Sequence, residues 1–148
     1  MSSMEMQEVD FLVLNEDYSR FLLRDGTTLK AKIVLKKIFF APLKTPEGYP
    51  TNTAFDSLNV VVSIVPQTLR RPPSEPYNPQ QDKGTEVKFE EQETKLQEYM
   101  TTNGFKVSIK PVLTKVFRYD KYNQLGEPIY NVILQPITNI DKIETTAR

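Results

Sequence analysis

The chain contains neither cysteine nor histidine. Without cysteine there can be no disulfide, no thiolate nucleophile and no thiolate-bound zinc or iron–sulfur centre. Without histidine, the commonest metal ligand and the commonest general base near neutral pH are both missing. Glycine is scarce as well: the 5 glycines stand isolated, and no phosphate-binding GxxxxGK[ST] loop, GxGxxG turn or DxDxDG calcium loop can be drawn through them. Long apolar runs are also lacking. The most apolar stretch, Leu58–Pro66, falls far short of the ~18 residues that span a bilayer. Net charge is zero, with 19 basic against 19 acidic residues, whereas a protein built on phosphate contacts is usually basic overall. These absences predict a non-catalytic protein with no cofactor, no metal site and no membrane partner. The first ten residues are acidic and carry no basic segment ahead of an apolar run, so the expected location is cytoplasmic.

What is present reads as one β-rich domain of 148 residues. The expected boundaries are a flexible N-terminal tail over 1–8, a domain over 9–137 and a polar C-terminal tail over 138–148. No repeat at solenoid spacing is evident. Asp25-Gly26 separates two strand-like runs and is a strong hairpin signal. In the second run, Leu29, Ala31, Ile33 and Leu35 share one face, with Lys30, Lys32 and Lys36 on the other. Lys36-Lys37 breaks that alternation, and Ile38 and Phe40 take it up on the opposite parity, which predicts a bulge there. Leu58–Val65 is a continuous β-branched run and predicts a central, well-covered strand. Residues 89–102 are rich in Glu, Gln and Leu and end at Asn103-Gly104, which predicts a helix. Alternation resumes from Phe105, with Pro111 marking an edge or a bulge, and the last strong strand runs over 129–136.

Prolines concentrate in 42–50 and in 66–84. The second segment can be neither helix nor central strand and is long for a loop, so it reads as an extended arm. The fold expected is mainly β (α+β): a small OB-like antiparallel barrel or a strongly bent sheet, with one covering helix and a long proline-rich loop. Leu22–Val34 followed by Leu58–Val65 also resembles the hairpin and Asn-containing strand of Sm-like proteins. The stretch between them is too long for that pattern, and the expected helix falls after these strands rather than before.

Two readings of function follow. Basic residues cluster on the strands, and Arg20, Lys30, Lys32, Lys36, Lys106, Lys110, Lys115, Arg118, Tyr119 and Tyr122 are the candidate contacts for single-stranded nucleic acid. That reading requires the two lysine-bearing faces to converge on one surface. Lysines guarding strand edges against aggregation would account for the same residues. The alternative is a protein-interaction or assembly subunit that contacts itself or another chain through its strand edges and its arm. Arg70, Arg71, Pro72, Pro73 and Tyr77 are the candidate arm residues.

Overall fold

The Asp25-Gly26 hairpin forms as the sequence predicts, because Gly26 adopts φ +97° and Thr27 N–H reaches the Asp25 carboxylate at 2.9 Å. A computed structural model describes residues 5–143, and among them lie ten strands and no α-helix. They are β1 (Gln7–Val9), β2 (Phe11–Asn15), β3 (Ser19–Leu23), β4 (Thr28–Phe40), β5 (Thr53–Ile64), β6 (Thr85–Glu86), β7 (Phe89–Glu93), β8 (Gln97–Thr101), β9 (Phe105–Tyr122) and β10 (Pro128–Lys142). A single 3-10 turn occupies Gln67–Leu69. Among the described residues no helix is long and apolar enough to cross a membrane.

The strands form two antiparallel five-stranded sheets. In the first, long β4 pairs along its length with β5; its other side is shared by β3 and β1, and β7 adds to β3. In the second, long β9 pairs along its length with β10; its other side is shared by β8 and β6, and β2 adds to β8. The inner faces meet in one core. β4 contributes Leu29, Ala31, Ile33 and Leu35, and β9 contributes Val107, Ile109 and Leu113. The predicted bulge is present: Leu35 pairs with Ser57 and Lys37 with Asp56, which skips Lys36 and returns Ile38 and Phe40 to the core.

Five expectations are corrected. The structure is a pair of facing sheets and not an OB-like barrel, since β5 and β10 each pair on one side only and no closure follows. The Sm-like comparison fails with it. The covering helix is absent: residues 89–102 supply β7 and β8. Across β8, Gln97, Tyr99 and Thr101 are buried in alternation while Glu98 and Met100 lie nearer the surface. Two of those three buried residues are polar, so the period of two is masked in the sequence. Their hydrogen bonds inside the protein make that burial tolerable, and the pairing overrides local helix propensity. β5 is an outer strand, leaving Leu58 55% and Ile64 49% exposed, rather than a central covered one. Pro111 lies in a strand paired on both sides, but in the stretch between β8 and β6 where the neighbouring edge is empty, so its missing N–H costs no ladder bond there. At the ends, Gln7 and Glu8 pair with β4, and Thr138–Lys142 continue β10 rather than forming a tail. Residues 1–4 and 144–148 of the expected tails lie outside the described residues.

Candidate interaction surface

The basic residues singled out by sequence fall into separate places. Lys30 and Lys32 alternate with buried core residues on β4, so they project from the outer face of the first sheet. Lys106 and Lys110 do the same on β9 and project from the outer face of the second. Because the inner faces of both sheets meet in the core, these two lysine sets face away from each other and do not converge. Several are also occupied. Lys30 and Lys32 place their ammonium groups 5.0 and 4.6 Å from the Tyr18 ring. Lys36 pairs with Asp56 at 3.7 Å and Lys106 with Glu98 at 2.9 Å. Arg20 is exposed and stands across from Lys30 on one side and Glu93 on the other. Lys110 and Lys115 are exposed and make no ion pair among the described residues.

Of the candidate rings, Tyr119 is buried and Tyr122 half-buried. Arg118 belongs to a local network and not to a free surface. Its guanidinium bonds the Asp25 carboxylate at 3.0 Å; Tyr130 Oη donates to the same oxygen at 2.7 Å and lies 2.9 Å from Thr27 Oγ1. Burial opposes the charge on Asp25, but the Thr27 N–H, the Tyr130 hydroxyl and Arg118 outweigh it and hold its pKa below the usual value. Burial, followed by the adjacent carboxylate, pushes Tyr130 up to about 12.

The arm is ordered against its own chain. Arg70 pairs with Glu127 at 3.5 Å and donates to Leu125 O at 2.8 Å. Arg71 N–H donates to Gly126 O at 3.0 Å, and Ser74 N–H to Tyr122 O at 3.1 Å. Tyr77 packs on Tyr119 with ring centroids 4.6 Å apart. Pro72 and Pro73 are exposed. Three of the five arm candidates, Arg70, Arg71 and Tyr77, contact the turn between β9 and β10 or β9 itself, which leaves little of the arm extended for a partner.

The surface that sequence reasoning missed is the free edge of β5. Leu58, Val60, Val62 and Ile64 pair across from Val34, Lys32, Lys30 and Thr28 and so share the outer face of the sheet. Three of the four are well exposed, at 55%, 38% and 49% for Leu58, Val62 and Ile64. β5 has one charged residue, Asp56, and that is paired with Lys36. Its inner face opens on a cleft of about 490 Å³, lined by Asn59, Val61 and Ser63 on one side and Tyr130 and Val132 on the other. The corresponding outer strand, β10, is different. It carries Pro128, Pro136, Asp141 and Lys142, residues that discourage edge pairing.

Among the described residues no group of three Asp or Glu side chains is placed to hold a metal ion. Comparison with known proteins finds no matching family, no matching characterised protein and no matching solved structure.

Proposed function

We propose that this protein is a non-catalytic assembly subunit in which β5 of one copy pairs antiparallel with β5 of a second, joining their first sheets into one. The observation that carries the reading is the bare apolar edge. A run whose composition suits a strand covered on both sides stands instead at the rim, with no proline and with one charge, Asp56, that is paired to Lys36. The row is self-complementary about Val61. In a two-fold pairing centred there, Leu58 of one copy meets Ile64 of the other and Val60 meets Val62. Such β-branched and aliphatic pairs contribute roughly 0.2–1 kcal/mol each, in addition to the backbone bonds along the overlap of residues 58–64, about 23 Å at ~3.3 Å per residue. The two sides of an isologous contact are the same patch, so no complementary charge is needed.

Light scattering over a concentration series tests this. The wild type is expected at twice the chain mass. Val62→Lys, which places a charge in the middle of the row, is expected to return it to a folded monomer whose Tm no longer depends on concentration. Ile137→Lys, on the outer face of β10, is expected to leave the dimer intact. A wild-type monomer at every concentration contradicts the proposal.

A second reading is supported by one local arrangement. Arg20, Lys30 and Lys32 with the Tyr18 ring place cations and an aromatic side chain on a single outer face. Single-stranded nucleic acid held there would bind more weakly as salt rises. Filter binding at two salt concentrations reads this out; salt-independent or absent binding removes it.

A further inference from the structure

The two sheets are wired alike, and the likeness reaches the sequence at a constant separation of 78 residues. Glu-Val-x-Phe at 8–11 returns at 86–89, Val-Leu-x-Lys-x-Phe at 34–39 returns at 112–117, and Gly-x-Pro at 48–50 returns at 126–128. β2 and β7 keep that separation at both ends, as do β3 and β8. Gly26 and Gly104 share φ of +97° and +96°, and Gly48 and Gly126 share +92° and +80°. The turn bonds match: Gly26 N–H to Leu23 O and Gly104 N–H to Thr101 O, then Thr45 N–H to Tyr49 O and Asn123 N–H to Glu127 O.

The irregularities match too. Lys36 is skipped in the pairing of β4 with β5, and Thr114 in the pairing of β9 with β10. Leu14 is skipped in β2 and Gln92 in β7. Bulges are local, position-specific features, and four placed independently would not keep one spacing.

One strand of each half has crossed over. β2 precedes β3 in the chain but pairs with β8 in the second sheet, while β7 precedes β8 but pairs with β3 in the first. The two seams are duplicates. Thr102 N–H donates to Asp10 O at 2.9 Å and Arg24 N–H to Lys88 O at 2.8 Å. Phe11 meets Tyr99 edge-on at 5.7 Å, and Phe89 meets Phe21 edge-on at 6.1 Å. Where the halves differ, they differ together. The Ile33 N–H and C=O are both satisfied by the Gln97 amide. Ile33 corresponds to Pro111, which has no N–H, and Gln97 corresponds to the short Ser19, whose hydroxyl accepts from Lys95 N–H at 2.8 Å instead.

We infer that the chain is a tandem duplication of one five-stranded unit, and that its halves are held together by reciprocal exchange of β2 and β7, with residues 65–84 serving as a tether. This is the geometry of a strand-swapped dimer closed within one polypeptide. It is independent of pairing at β5.

The test cuts the tether in the folded, full-length protein. A specific protease sequence is inserted between Gln80 and Gln81, which are exposed, and the chain is cleaved after folding. The cleaved protein is expected to elute as the uncut one does, with both fragments present at one to one, and to regain its circular dichroism when the denatured fragments are diluted together. Separation of the fragments in native buffer overturns the inference. In the uncut chain, Phe11→Ala and Phe89→Ala are expected to lower Tm by similar amounts, each about 5–10 °C. A marked loss from only one of them contradicts the equivalence of the two seams.

Discussion

At the scale of single residues, the polar side chains buried by the fold are each accounted for. Among the described residues no buried side-chain polar atom lacks a hydrogen-bond partner. Gln97 is fully buried and stands in for a strand beside the unpaired middle of β4. Glu16 adds to it, accepting from Leu35 N–H at 3.1 Å and from Tyr99 Oη at 2.7 Å. Replacing Gln97 with Leu leaves the Ile33 N–H without a partner and its C=O with only Tyr99 Oη at 3.4 Å, and is expected to cost about 2–4 kcal/mol in urea unfolding. The Asp25 network carries a pH signature. Its depressed pKa means stability that is present above the unfolded carboxylate value of about 3.9 and is lost as pH falls through the lower folded value. Tyr130 acts in the opposite direction: its stabilisation is present below ~10 and is lost as pH rises toward about 12. Asp25→Asn is therefore expected to destabilise at neutral pH by about 1–3 kcal/mol, with the gap to wild type closing in acid. A gap that stays constant down to strongly acidic pH would assign Asp25 a purely steric role. Only the bond between Thr27 N–H and Asp25 is local to the turn; Arg118 and Tyr130 are brought to it by packing of the sheets and were not legible in the sequence.

At the scale of elements, local signals succeeded wherever a short segment decides its own geometry. The Asp25-Gly26 turn and the Lys36 bulge follow from φ preference and from side-chain parity, and both are present. The two equivalent turns also separate strain from crowding. Gly26 and Gly104 have nearly the same positive φ, but a Cβ on Gly26 would come within 3.3 Å of Pro66 Cγ, while one on Gly104 would meet nothing within 4 Å. Gly104→Ala is expected to cost about 1–2 kcal/mol from the backbone alone, and Gly26→Ala more. Equal losses in thermal unfolding would remove the contact with Pro66 from the account. Local signals failed where a distant strand decides. The segment 89–102 has helical composition but is completed by β2, β3 and β9, and β5 has the composition of a covered strand but lies at a rim. Under self-pairing the composition of β5 is no longer anomalous, since the run gains a neighbour on its second side.

At the scale of the whole molecule, the lysine-bearing strands are separated by the core they enclose, so their charge forms two outward faces and not one groove. The arm that looked free is held against the turn between β9 and β10. The repeat is hard to read in the sequence because the unit recurs once, 78 residues on and across the tether, with its shared residues confined to short clusters. The molecule thus presents two equivalent long edges, of which β10 is guarded and β5 is not. Because the native chain has no cysteine, a single introduced thiol reports on one contact. Val61→Cys places that thiol on the two-fold axis of the proposed pairing, on the face opposite the apolar row, where cross-strand Cα atoms lie about 4.5–5.5 Å apart, within disulfide range. Under mild oxidation the protein is expected to form a disulfide-linked dimer rapidly and nearly completely, while a cysteine at Ile137 on β10 forms little. Failure of the Val61 cysteine to cross-link, or equal cross-linking at both positions, would contradict assembly through β5.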